Sequence, residues 1–87
     1  MIKTFSDFKA VCEKKREQLF NIPAAYLSEE GLAVRNMYRF LDNACVFAET
    51  ASELLAMVGA DPDFILYAEK APKEYSLIRG CLEQLAN

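Results

Sequence analysis

The chain has 87 residues, of which 53% are apolar and 26% charged, and its formal net charge is −3. That size suits one domain with a small core, and the acidic balance speaks against the concentrated positive field that nucleic acid or an anionic membrane demands. Histidine is absent, which removes His-based triads, Cys–His pairs and Glu-x-x-His metal sites.

The first predicted element runs from Phe5 to Phe20. Thr4 is its expected N-cap, with Asp7 three residues on. Phe5, Phe8, Val11, Cys12 and Leu19 share one helical stripe, and Lys15 falls inside it as a snorkelling stem. The segment Asn21–Ser28 is a connection, because Pro23 stops Ile22 from continuing a helix.

Ser28 is expected to cap the second helix, and Glu29 and Glu30 suit its positive end. From Leu32 to Val58 there is neither proline nor glycine, so the pattern predicts one long central helix. The alternative is a break near Glu49, where Thr50–Glu53 reads "TASE", a capping box. Met37, Phe40, Leu41, Ala44, Cys45, Phe47, Ala48, Ala51, Leu54, Leu55 and Val58 span an apolar arc of roughly 200° on such a rod. A surface helix needs about half that width, so cover is expected on two flanks.

Gly59 is expected to end this helix in a left-handed conformation. Asp61 then caps the next, with Pro62 at its first position and Asp63 on the dipole. Phe64–Tyr67 is apolar all round, which predicts a buried short helix. Pro72 opens the last helix, whose stripe is Tyr75, Ile78, Cys81, Leu82 and Leu85. Ser76, Arg79 and Glu83 line its outer face, and Gly80 is a weak point that suits a close helix crossing. The fold expected is all-α: four helices, or five if the long one breaks.

The turn at Gly59 has the spacing of a helix-turn-helix but not its content. A recognition helix offers basic or amide side chains to base edges, whereas this one would offer Asp61 and Asp63. It reads as the corner of a bundle. Cys12, Cys45 and Cys81 are odd in number, widely spaced and on apolar faces, which predicts reduced, inert thiols. No apolar run exceeds five residues, far short of the roughly 18 of a membrane span. The first residues also lack a signal-peptide h-region, so a cytosolic location is expected. No cofactor or metal ligand set is indicated, and no catalytic constellation.

A binding role remains. On the polar side of the long helix Arg35, Arg39, Asp42, Glu49 and Glu53 fall on one line, with Val46 in its middle and Met57 beside it. An apolar centre in a charged rim suits a protein interface. The expected function is a non-enzymatic accessory or regulatory protein that binds another protein, or itself as a twofold homodimer. Two rivals stand beside it. One is a nucleic-acid-associated regulator using Lys9, Lys14, Lys15 and Arg16. The other is an apolar-ligand binder with a pocket between helices.

Overall fold

The computed structural model describes residues 1–87. Its backbone forms α1 (Phe5–Phe20), a 3₁₀ turn (Ala24–Tyr26), α2 (Glu29–Ala44), α3 (Ala51–Ala60), α4 (Pro62–Lys70) and α5 (Pro72–Ala86), with no strand. The protein is thus the small all-α bundle expected, in its five-helix form. No helix is long and apolar enough to cross a membrane.

Each helix start has a local cause. At α1 the Thr4 hydroxyl accepts the Asp7 N–H at 3.1 Å, and Asp7 Oδ2 accepts the N–H groups of Lys3 and Thr4 at 3.0 and 3.1 Å. Those backbone donors hold the Asp7 carboxyl below its ordinary range. At α2 the Ser28 hydroxyl accepts from Gly31, and at α4 the Asp61 carboxylate accepts from Phe64. Pro62 and Pro72 occupy first-turn positions, where the missing N–H costs nothing.

The long helix predicted from Leu32 to Val58 does not form. The chain leaves α2 after Ala44, turns through residues 45–50 and restarts at Ala51. Thr50 has extended backbone angles (φ −132°, ψ 159°), and its hydroxyl accepts the Glu53 N–H at 3.2 Å. Glu53 Oε2 accepts the Glu49 N–H at 2.8 Å, one residue further back than in the standard box. The arc explains the break. A straight rod would leave part of it in water, whereas bending lets Leu41, Ala44, Cys45, Ala48, Ala51, Leu54 and Val58 all reach one core. The local caps replace hydrogen bonds lost at the bend. The rod with two flanks to cover, which was the ground for expecting a homodimer, is thus two shorter helices. Phe47, assigned to the arc, is instead 77% exposed at the bend.

Thr50→Ala reads the break through its sign. Loss of an N-cap costs about 0.5–2 kcal/mol. In an uninterrupted helix the same change would stabilise, since alanine is the better helix former. Urea melts of the two proteins are expected to show the loss.

Gly59 also behaves differently from the expectation. It lies inside α3 and no glycine has positive φ. The stop comes from Pro62, whose ring disfavours helical angles at Asp61 (φ −82°, ψ 119°). Nor does Gly80 admit a close crossing, for nothing lies within 4 Å of the Cβ it lacks.

The core joins residues from all five helices, with α1 on α2, α2 on α4 and α3 on α5. Phe64 of α4 is fully buried, its ring 5.2 Å from that of Phe40 on α2 and 6.1 Å from that of Tyr75 on α5. Only one side of α4 is covered, however. Ile65 and Leu66 are exposed, contrary to the all-round burial predicted for this turn. On α5, Ile78 and Leu82 face inward as the stripe requires.

Tyr38 of α2 is buried, and its hydroxyl donates to Glu74 Oε2 of α5 at 2.7 Å. Burial, and then this hydrogen bond, raise the hydroxyl's pKa above the ordinary tyrosine value. The folded chain therefore keeps a proton that the unfolded chain releases near pH 10. The contribution is fully present below pH 10 and falls above it by up to about 1.4 kcal/mol per pH unit. Tyr38→Phe is expected to remove that share of the alkaline slope, as read by urea melts at neutral and strongly alkaline pH.

Candidate functional site

The helices α1 and α2 run antiparallel, and their register decides which surface groups meet. Cys12 lies beside Cys45, Lys15 over the Tyr38 ring (5.5 Å), and Arg16 against Asp42 (3.4 Å). At the end of α1 the same register brings Phe20 against Arg35. The Arg35 guanidinium sits 4.6 Å from the Phe20 ring centroid, that of Arg16 5.7 Å and that of Arg39 6.0 Å. The chain has four arginines, so all but Arg79 converge on one aromatic ring. That ring is 41% exposed.

The cluster carries more positive charge than its immediate partners neutralise. Asp42 pairs with Arg16, but Arg35 and Arg39 have no carboxylate within 4.0 Å. The Nε atoms of Arg16 and Arg35 are buried and unpartnered. A buried donor without an acceptor is costly, and these two N–H groups are unsatisfied in that sense. An open concavity of about 470 Å³ is lined by Arg16, Glu17, Phe20 and Asn21. On its other side Arg39 borders a separate groove with Asp61 and Asp63.

The predicted interface line is divided by the bend. Arg35, Arg39 and Asp42 stay together on α2. Val46 follows one turn later and is 79% exposed, as expected of it. Beyond the bend, the Glu53 carboxylate is taken up by the cap of α3, where it accepts the main-chain N–H of Glu49. Met57 is half-buried and packs against the core. The residues missed were Arg16 and Phe20. Arg16 had been grouped with the lysines, and Phe20 read as the end of a helix. Their signal was present: an aromatic off the apolar stripe of α1, one turn after an arginine.

The basic side of α1 is not one continuous surface. Lys9 lies over the Phe5 ring at 4.9 Å, Lys15 over Tyr38, and Arg16 turns to Phe20 and Asp42. The cysteines are free, with Cys12 and Cys45 buried and Cys81 half-buried. The hydrogen bond with Cys45, and then burial, raise the Cys12 pKa, and burial raises that of Cys81, both of which disfavour the reactive thiolate. The hydrogen bond with Cys12 lowers the pKa of Cys45, contrary to the inert thiol expected there.

Compared with known protein families, with curated proteins and with solved structures, the chain matches none.

Proposed function

We propose that this is a non-enzymatic accessory or regulatory protein that binds another protein through the α1–α2 face. The observation that carries the reading is the convergence of Arg16, Arg35 and Arg39 on the exposed ring of Phe20. Arginine and aromatic residues dominate binding energy in protein interfaces, because each combines broad contact area with directional donors. Attraction to the ring limits the freedom of the guanidiniums in advance, which lowers the entropy lost on binding. Exposed Ile22 and Val46 extend the face with apolar groups. The partner is taken to be a different protein, since the broken helix removes the reason for a second copy.

The test is site-specific photo-crosslinking in the native cell. A crosslinker at Ile22, beside Phe20, is expected to capture a distinct protein, and one at Ser76 on the outer face of α5 is not. Phe20→Ala is expected to abolish the Ile22 adduct. Equal adducts from both positions, or none from Ile22, would overturn the proposal. An adduct of twice the chain's mass would return the homodimer.

A further inference from the structure

We infer that Cys12 and Cys45 form a peroxide-responsive dithiol, which closes to an intramolecular disulfide joining α1 to the end of α2. Two observations place the sulfurs together. In the antiparallel register of the two helices, Arg16 meets Asp42 at 3.4 Å and Lys15 lies over the Tyr38 ring. One turn back along α1 from Arg16 is Cys12, and about one turn on along α2 from Asp42 is Cys45. The two side chains also share a hydrogen bond inside the buried core. Cys81 stands apart on α5, in the wall of an open concavity with Ile2, Lys3 and Leu85.

The paired thiols are not equivalent. Cys45 directly follows the last residue of α2, ahead of exposed Val46 and Phe47, and keeps 7% exposure, whereas Cys12 keeps none. The hydrogen bond from Cys12 favours the Cys45 thiolate against burial, with the Lys9 ammonium adding to it and the Asp42 carboxylate opposing it. The thiolate is the form that attacks a peroxide. Cys45 is therefore the sulfur that reacts first, and Cys12 the one that resolves it. The Cys45 thiolate attacks one oxygen of hydrogen peroxide, the O–O bond breaks, and Cys45 sulfenic acid and hydroxide form. The Cys12 sulfur then displaces the sulfenic oxygen, which leaves as water with the Cys12 proton. Two electrons have passed from the sulfurs to the peroxide, and an S–S bond stands where the thiols shared a hydrogen bond. The bridge closes a loop that includes the 3₁₀ turn and all of α2, which restricts the unfolded chain far more than the folded one.

The experiment treats the whole reduced protein at neutral pH with a small excess of hydrogen peroxide, then alkylates it in denaturant and reads each sulfur by peptide mass. A monomer that has lost two hydrogen atoms is expected, with the Cys12 and Cys45 peptides cross-linked and Cys81 alkylated. Closure should be at least about tenfold faster than oxidation of Cys81, and dithiothreitol should reverse it. The bridged protein should melt about 10 °C or more above the reduced one. In urea the three thiols become equivalent, and the preference for this pair should vanish. Cys12→Ser is expected to stop at a Cys45 sulfenic acid that a cyclic 1,3-dione traps, and Cys81→Ser to leave closure unchanged. A bridge containing Cys81, a link between two chains, or a Cys45 that reacts no faster than Cys81 would each overturn the inference. So would closure as fast in urea as in the folded protein, or a bridged protein that melts below the reduced one. These readings are taken on the unsubstituted chain, so a Cys12→Ser protein that fails to fold leaves them in force.

Discussion

Phe64→Ala is expected to destabilise the protein by about 3–5 kcal/mol. Phe64 has no exposed surface, and its ring bridges Phe40 of α2 and Tyr75 of α5. Phe64 is the one fully buried residue of the short helix α4, and half-buried Tyr67 and Ala68 are its other contacts with the core. The cavity left behind is lined by parts of three helices, and rigid neighbours on three sides limit collapse. Domains of this size are stable by only about 5–15 kcal/mol, so a large share of the total would go. At about 4–8 °C per kcal/mol the melting temperature should fall by at least 12 °C. Leu66→Ala supplies the contrast, because Leu66 is exposed on the same helix, and a surface substitution usually stays within about 0.5 kcal/mol. Thermal and urea melts decide between them. If Leu66→Ala were the more damaging, α4 would be docked by its other face.

The comparison with the sequence turns on whether a feature is local. Thr4, Ser28, Asp61 and Pro62 were legible as helix starts because a cap is formed by residues three apart, and each performs that role. The turn "FILY" was legible as helical but not as one-sided, since which of four apolar residues is buried depends on where α2 and α5 lie. The break at residues 45–50 was ambiguous for a physical reason. Without glycine or proline, local propensity permits continuity, and the capping signal at Thr50 is worth only about 1 kcal/mol. What tips the balance is burial of both halves of the apolar arc in one core, a tertiary quantity that periodicity does not measure. The excess width of the arc was the visible sign of that conflict. The bend brings most of the arc into one core, while Phe47 stays exposed.

The candidate site shows the same division. Arg35, Arg39 and Asp42 share a helix face and were found by spacing alone. Glu49, Glu53 and Met57 were joined to them by extending that phase past Ala44, where the chain bends and the helical spacing no longer holds. Phe20 and Arg16 belong to the other helix. Their meeting with Arg35 follows from the antiparallel register of α1 on α2, which neither helix encodes by itself.

Reversing one charge in this cluster should separate binding from folding. Arg35→Glu removes a guanidinium 4.6 Å from the Phe20 ring centroid, a contact worth about 0.5–1 kcal/mol near a surface. It also ends repulsion between Arg35 and Arg39, one helical turn apart, and creates a Glu-to-Arg pair in the favourable order. That swing is about 0.4–1 kcal/mol. The two terms oppose, so stability should change by less than about 1 kcal/mol in a urea melt. Binding has no such compensation. A partner group that met the guanidinium would meet a carboxylate, and loss of an arginine that anchors an interface costs at least about 2 kcal/mol, roughly 30-fold. The Ile22 photo-adduct should therefore vanish from a protein that melts almost as before. A loss of 3 kcal/mol or more in the melt would mean that Arg35 serves to hold α2 against α1. An unchanged melt with an undiminished adduct would place the partner elsewhere on the surface. The same substitution thus distinguishes a structural arginine from a recognising one.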